Sequence, residues 1–437
     1  MKKIDVITGL LLLGSLLTSC QSTKPLGEEV DATVVGDGWA NNSVNAVVFR
    51  RSSLTTHDDT QFTAYYDPSS HLVLAKRKLG EEDWEVHQTR YTGNTADAHN
   101  TISIAVDGEG FLHVSWDHHN NPLRYAKSVA PLSLELGEKQ SMTGMLEQDV
   151  TYPEFHNLPN GDLLFLYRSG ESGRGNLVLN RYDAKAGRWE QLHQNLIDGE
   201  GERNAYWQAC VDQNGTVHLS WVWRETYDVS TNHDMAYARS TDGGETWGKS
   251  TGAAYTLPIN LESAEYAWKI PQNSSLINQT AITADHHGNP YIATYWNDGG
   301  LTQYQIIYQE EGEWKKSSPG FRQSVFMLGG GGTKRIPISR PQVLVDVKNG
   351  KKALYLIFND EEREHKASLA FTPDIGNAAW EVVDLTKHGL GQWEPSYDIE
   401  LWKAQRKFHL FVQKVEQIDG EGLAEGKTSP VRILEVK

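Results

Sequence analysis

The chain has 437 residues, with 41 Lys and Arg against 57 Asp and Glu, a net charge of −16, 38 % hydrophobic residues, 39 Gly, 14 Trp and 18 Tyr. This composition is too apolar and aromatic for a disordered chain, and the negative balance argues against a nucleic-acid binder, which carries a basic face. Two cysteines exclude a disulfide framework, and the wealth of Trp and Tyr leans towards β structure.

Lys2 and Lys3 precede an apolar run from Ile7 to Leu17, closed by Thr18-Ser19-Cys20. The run is too short to span a membrane as a helix and has the layout of an export signal. Its ending resembles a bacterial lipobox, which implies removal of residues 1–19 and lipidation of Cys20. Residues 20–42 then read as the lipidated cysteine and a polar tether, and 43–437 as one folded unit. The expectation is an exported, monomeric protein, lipid-anchored to the cell envelope at the outer membrane or cell surface. An ordinary signal peptide with an incidental Cys20 is the alternative.

From there one pattern recurs: a short strand, a Gly/Asn/Asp turn, then an apolar-aromatic strand. It runs from His99 through Asp107-Gly108-Glu109-Gly110 to Trp116, and from Tyr152 through Pro159-Asn160-Gly161 to Arg168. Further copies start at Tyr206, Asn278, Arg340 and Trp393, and an N-terminal copy contains Phe62–Asp67. A period of 53 to 72 residues fits a four-stranded blade with loops rather than a helical repeat. Leu72–Ala75, Asn176–Leu179, Met235–Ala238 and Tyr304–Ile307 read as third strands. Turns closed by Trp84, Trp189, Trp247, Trp314 and Trp380 follow. One of these, Ser240-Thr241-Asp242-Gly243-Gly244-Glu245-Thr246-Trp247, matches the Asp-box of BNR-repeat propellers. Seven units predict an all-β fold, a seven-bladed β-propeller.

In such a blade the first and second strands share a hairpin, so the start of the first and the end of the second lie on the opposite face. First-strand starts give His99, Tyr152, Tyr206, Asn278, Arg340 and Trp393. Second-strand ends give His118, His119, Arg168, Trp223, Arg224, Trp296, Asn297, Asn359 and Asp360. This is an island of donors and positive charge on an acidic chain. It suits an anionic sugar, because arginine forks bind carboxylate or sulfate and aromatic faces stack on pyranose rings. Each residue also has a bland reading: a hydrogen-bonded loop histidine, a salt-bridged arginine, a channel-packing tyrosine. His113 and His218, at one phase of the second strand, read as structural, and His286 and His287 fall in a hairpin on the wrong face. Gly329–Arg335 reads either as a mobile basic lip or as a flexible connection, and matches no phosphate loop. Cys210 has no partner at metal-ligand spacing and reads as a buried thiol. A structural metal ion finds no support in the pattern.

The Ala98-His99-Asn100-Thr101 start, the Trp116-Asp117-His118-His119 end and the Tyr152/Arg168 pair together resemble the BNR-repeat family that includes the ulvan lyases of polysaccharide lyase families 24 and 25. The resemblance covers the chain from about residue 43. It implies a seven-bladed propeller cleaving a sulfated rhamnose–uronate polysaccharide by β-elimination, with two histidines about twenty positions apart and a tyrosine sixteen before an arginine. His99, His119, Tyr152 and Arg168 match as catalytic residues, with His118 leaving the second histidine ambiguous. His118, Tyr206, Trp223, Arg224, Asn278 and Arg340 are expected to bind substrate. The chemistry calls for no cofactor: it needs a cation to offset the uronate carboxylate, a base for the C5 proton and an acid for the departing O4. Two other readings stay open. A sialidase-like or other glycoside hydrolase would use Arg168, Arg224 and Arg340 on a carboxylate, and a glycan-binding surface lipoprotein would need no paired His and Tyr.

Overall fold

A computed structural model describes residues 26–425 and 428–437. The signal segment and Cys20 lie outside them. Seven antiparallel sheets follow one another around a central axis as a seven-bladed propeller. The first strands of blades 1 to 7 are Leu54–His57, Ile102–Val106, Val150–Asn157, Asn204–Val211, Ala281–Ala284, Gln342–Lys348 and Ser396–Tyr397.

Neighbouring sheets pack face to face, so central strands are buried on both faces and read as unbroken apolar runs. Leu163–Ser169 in blade 3 is buried at every position but its last. Between blades 1 and 2, Phe62, Leu74, Ile102, Val114 and Trp116 share one core cluster. The inner hairpins of blades 2 and 3 meet at Gly108 and Gly161, where a Cβ on Gly108 would lie 2.7 Å from the Gly161 Cα. The four third-strand expectations lie within His71–Lys78, Asn176–Asp183, Asn232–Ser240 and Thr302–Glu310.

The ring closes differently from the sequence-based expectation. Val30–Gly38, within the expected tether, is the outer strand of blade 7 and pairs antiparallel with Ser429–Val436. An N-terminal strand completing the last C-terminal sheet fastens the ring through backbone hydrogen bonds. The last blade also starts later than expected. Trp393 precedes its inner strand, is fully buried, and donates from its indole to the Phe411 carbonyl at 2.9 Å.

The Asp-box is a hydrogen-bonded turn. The Asp242 carboxylate accepts from the Ser240 hydroxyl at 2.7 Å and the Thr246 amide at 2.9 Å, and buried Trp247 donates to the Gly244 carbonyl at 3.0 Å. His113 and His218 are structural and equivalent. Each is fully buried between an aspartate (Asp107 at 3.0 Å, Asp212 at 3.2 Å) and a tyrosine hydroxyl (Tyr125 at 2.7 Å, Tyr237 at 2.8 Å). Cys210 is partly buried and its thiol is pushed up, chiefly by burial. No helix among the described residues is long and apolar enough to cross a membrane.

Candidate active site

Three adjacent strands set the centre of the site. The loop between the second and third strands of blade 2 forms a short strand, His119–Asn121, which adds to the inner edge of blade 3. Its register places His119 opposite Thr151, and Thr151 opposite Arg168 on the next strand. A histidine from one blade and an arginine from the next thus stand in one row. Tyr152 follows Thr151 at a bulge in the inner strand and has φ of +57°. A left-handed tyrosine is strained and persists only where its surroundings impose it, a condition concentrated at functional sites.

The two histidines are stacked. His99 and His119 lie with ring centroids 4.1 Å apart and planes 17° from parallel, and Phe49 stacks on the other face of His99 at 4.8 Å. Behind them one carboxylate serves both rings: Asp97 is 2.9 Å from His99 Nδ1 and 2.5 Å from His119 Nδ1. Burial works to raise the Asp97 carboxyl, but hydrogen bonds from His119 and His99 reverse this and hold it well below the usual range. His99 is itself lowered, first by burial and then by neighbouring His119, with Asp97 opposing. The His99 side chain is 8 % exposed and that of His119 34 %, so His119 is the ring open to solvent. Asp97, His99 and His119 are also the one group of described residues spaced to hold a metal ion.

Arg168 is buried and has no carboxylate partner among the described residues. Its Nε donates to the Gly170 carbonyl at 3.1 Å and its Nη2 to the Thr151 hydroxyl at 3.3 Å. The guanidinium lies 5.1 Å from the Tyr152 ring centre. Gly175 makes room for it, since a Cβ there would sit 2.6 Å from Arg168 Cγ. Arg224 repeats the arrangement one blade on. It lies 5.4 Å from the Tyr206 ring, donates to the carbonyls of Thr226 and Tyr227, and forms no salt bridge among the described residues, though Asp228 lies within reach of its charge. Burial, reinforced by Tyr206, pushes the Tyr152 phenol well above its ordinary value. Burial acts on Tyr206 likewise, but Arg224 and Arg168 overcome it and hold that phenol below the ordinary tyrosine value.

Other expected binding residues are engaged elsewhere. His118 is fully buried, close to the Ser115 hydroxyl and Asn121. Burial lowers it to about 4, which keeps it neutral, and its side chain is closed to solvent where that of His119 is open. Trp223 is fully buried edge-on to Trp221, so it offers no face to a sugar. Asn278 is buried and accepts from Asn232 at 3.3 Å. Arg340 is neutralised by Glu394 through two bonds of 2.8 and 2.6 Å, beneath Phe49.

Gly329–Arg335 is neither a free lip nor a slack connection. Gly330 donates to Asp228 at 2.8 Å on the blade 4 side, and Lys334 pairs with Asp419 at 2.8 Å on the blade 7 side. Between them the buried Thr333 hydroxyl lies 3.4 Å from His99 Nδ1, and Glu421 lies 3.5 Å from the same atom. The segment is a strap roofing His99. Sequence reasoning missed Asp97, Phe49 and Glu421, and named the Gly329–Arg335 segment without giving Thr333 a part in the site. Asp97 carried a signal, an acid two residues before a candidate histidine, whereas the others come from distant loops.

The profile of the BNR repeat-containing family matches residues 60–321. The chain belongs to that family. It is 27 % identical over 256 residues to the short isoform of an ulvan lyase from Alteromonas sp. (strain LOR). The match covers 45 % of this chain and 48 % of that protein, so the chain spans about half the length of this relative. A long-isoform ulvan lyase from Pseudoalteromonas sp. (strain PLSV) is 26 % identical over 225 residues, 39 % of this chain and 22 % of that one. Among solved structures, the fold is similar to polysaccharide lyase Uly1, with TM-score 0.67 and 16 % identity over 94 % of this chain and all of that one. It is also similar to an ulvan lyase of family PL25 bound to -[GlcA(1-4)Rha3S]-, with TM-score 0.69 and 13 % identity over 93 % and 95 % of the two chains.

Proposed function

We propose that the protein is a polysaccharide lyase that cleaves an acidic, uronate-containing polymer by β-elimination, with a sulfated ulvan-like chain as substrate. The row His119–Thr151–Arg168, with Tyr152 at its bulge, carries this reading. Abstraction of the C5 proton moves charge onto the uronate carboxylate. Arg168, held by a backbone carbonyl and a hydroxyl but by no acid, is placed to offset that charge. The electron pair of the broken C5–H bond forms the C4=C5 double bond as the C4–O4 bond breaks, and O4 takes a proton. His119, with Asp97 behind Nδ1 and an open side chain, suits removal of the C5 proton. Tyr152, which keeps its proton at neutral pH, suits donation to O4. His99 backs His119, and Tyr206 beside Arg224 positions the neighbouring sugar. Ulvan lyases among the relatives support the same reaction class.

The hydrolase reading is weaker, because the third arginine it needs, Arg340, is bound to Glu394. Export and anchoring at Cys20 belong to the same proposal, and loss of membrane association in Cys20→Ala tests them. The reaction is tested by incubating the protein with a panel of acidic polysaccharides and following the ultraviolet absorbance of the unsaturated uronate. New reducing ends without absorbance would assign a hydrolase, and binding without either product a lectin-like protein.

A further inference from the structure

The site has a third member with no place in the elimination itself. The Asp97 carboxylate meets the Nδ1 atoms of His99 and His119 with separate oxygens, and its Oδ1 also accepts the His99 backbone amide at 2.9 Å. Asp97 is only partly exposed, with 20 % side-chain accessibility, and the rings it meets are stacked 4.1 Å apart. No hydrogen bond to Nε2 of either ring forms among the described residues.

We propose that Asp97 is the positioning residue of the site, fixing both imidazoles as Nδ1–H tautomers and holding them stacked so that both Nε2 atoms remain unprotonated acceptors. An ionised carboxylate can only accept, so a neutral imidazole facing it must carry its proton on Nδ1. One histidine oriented this way is a familiar acid–base device. Here a single carboxylate orients two, and neither can change tautomer without breaking its bond to Asp97. The roof contributes to the same end: the Thr333 hydroxyl and Glu421 lie on the Nδ1 edge of His99 and present further acceptors to that proton. His119 relies on Asp97 alone, so its tautomer depends most on this carboxylate.

Imidazole nitrogen NMR tests this without reference to any substrate. The signals of His99 and His119 are assigned among the 16 histidines by His99→Gln and His119→Gln. Both rings are expected to show protonated Nδ1 and bare Nε2 above the pH at which they titrate. Asp97→Asn keeps the side-chain oxygen that caps the His99 amide, so the turn and the fold should survive. Its amide accepts from one ring and donates to the other, so one ring should switch to the Nε2–H tautomer. The orienting role rests on the lyase reading only for its kinetic arm, where Asp97→Asn should lower kcat about 10²–10⁴-fold with little change in KM, and Asp97→Glu should recover part of the loss. Parent rings protonated at Nε2, or unchanged tautomers in Asp97→Asn, would overturn the proposal. So would one equivalent of zinc on the purified protein that disappears in Asp97→Asn, since the three residues would then be ligands. If the tautomers behave as expected but the parent cleaves no polysaccharide, the lyase reading fails and the orienting role stands.

Discussion

Replacing Arg168 with Ala separates charge stabilisation from folding. The guanidinium is held by one carbonyl and one hydroxyl, so none of its charge is offset by a protein carboxylate among the described residues. A substrate carboxylate about 4 Å away in a site of effective dielectric about 20 would gain about 4 kcal/mol from a single cation. Removal of the C5 proton puts a second negative charge on that carboxylate, so a further gain of the same order, about 3–4 kcal/mol, appears only in the transition state and corresponds to 10²–10³ in rate. The structural loss is smaller, two ordinary hydrogen bonds of about 1 kcal/mol each, so the melting temperature should stay near the parent's. Arg168→Lys restores the charge without the fork and should fall between the two. The assay is initial rate by unsaturated-uronate absorbance, with kcat and KM separated. If Arg168→Ala retains more than about a tenth of parental kcat/KM, the carboxylate lies elsewhere and the reading of the row His119–Thr151–Arg168 is wrong.

His118→Ala and His119→Ala should have opposite effects. The first leaves a buried cavity beside Ser115 and lowers the unfolding free energy by about 1–3 kcal/mol, while the second stops turnover and leaves stability near the parent's, as denaturant titration and rate assay would show. The lowered His118 value also sets a pH dependence. The unfolded state takes up the proton near pH 6.5 and the folded state only near pH 4, so the unfolded state binds more protons between them. Stability should fall as pH drops through that window and level off below it, by up to about 3 kcal/mol from this residue. The drop should shrink in His118→Gln when unfolding is measured from pH 7 to 4. Gly175→Ala should push Arg168 out of place, since its Cβ would meet Arg168 Cγ at 2.6 Å, and should cut kcat/KM at least tenfold, about 1.4 kcal/mol, without unfolding the chain. Asp242→Ala unpairs the Ser240 and Thr246 donors of the Asp-box and should cost about 1–3 kcal/mol of stability with activity intact in the surviving fold.

The contrast between what the sequence disclosed and what it hid follows from contact distance along the chain. The repeated inner hairpins are local, with turn residues and apolar runs adjacent, so periodicity exposes the blades and fixes which face carries His99, Tyr152 and Arg168. Val30–Gly38 escapes such reading because its partner Ser429–Val436 lies at the other end of the chain, and its own glycines and aspartates look like tether. The choice between His118 and His119 depends on one backbone reversal. Asp117 and Asn120 both have positive φ, +66° and +58°, and between them the chain turns His118 inward while His119 starts the strand that joins blade 3. Adjacent residues on an extended strand face opposite sides, but only the register with Thr151 says which of the two stands in the row with Arg168. Arg340 shows the same limit from the energetic side. Its position at a blade start was legible, but its availability was not, because Glu394 lies 54 residues away on the next blade. Arg168 and Arg224 differ from it in having backbone carbonyls where Arg340 has a carboxylate, and that difference is what leaves positive charge free on the functional face. On a chain of net charge −16, the acidic polymer proposed as substrate would be repelled at long range, and that repulsion has to be overcome locally. Arg168 and Arg224, each beside a tyrosine ring and neither in a salt bridge among the described residues, are the feature of this face that can do so.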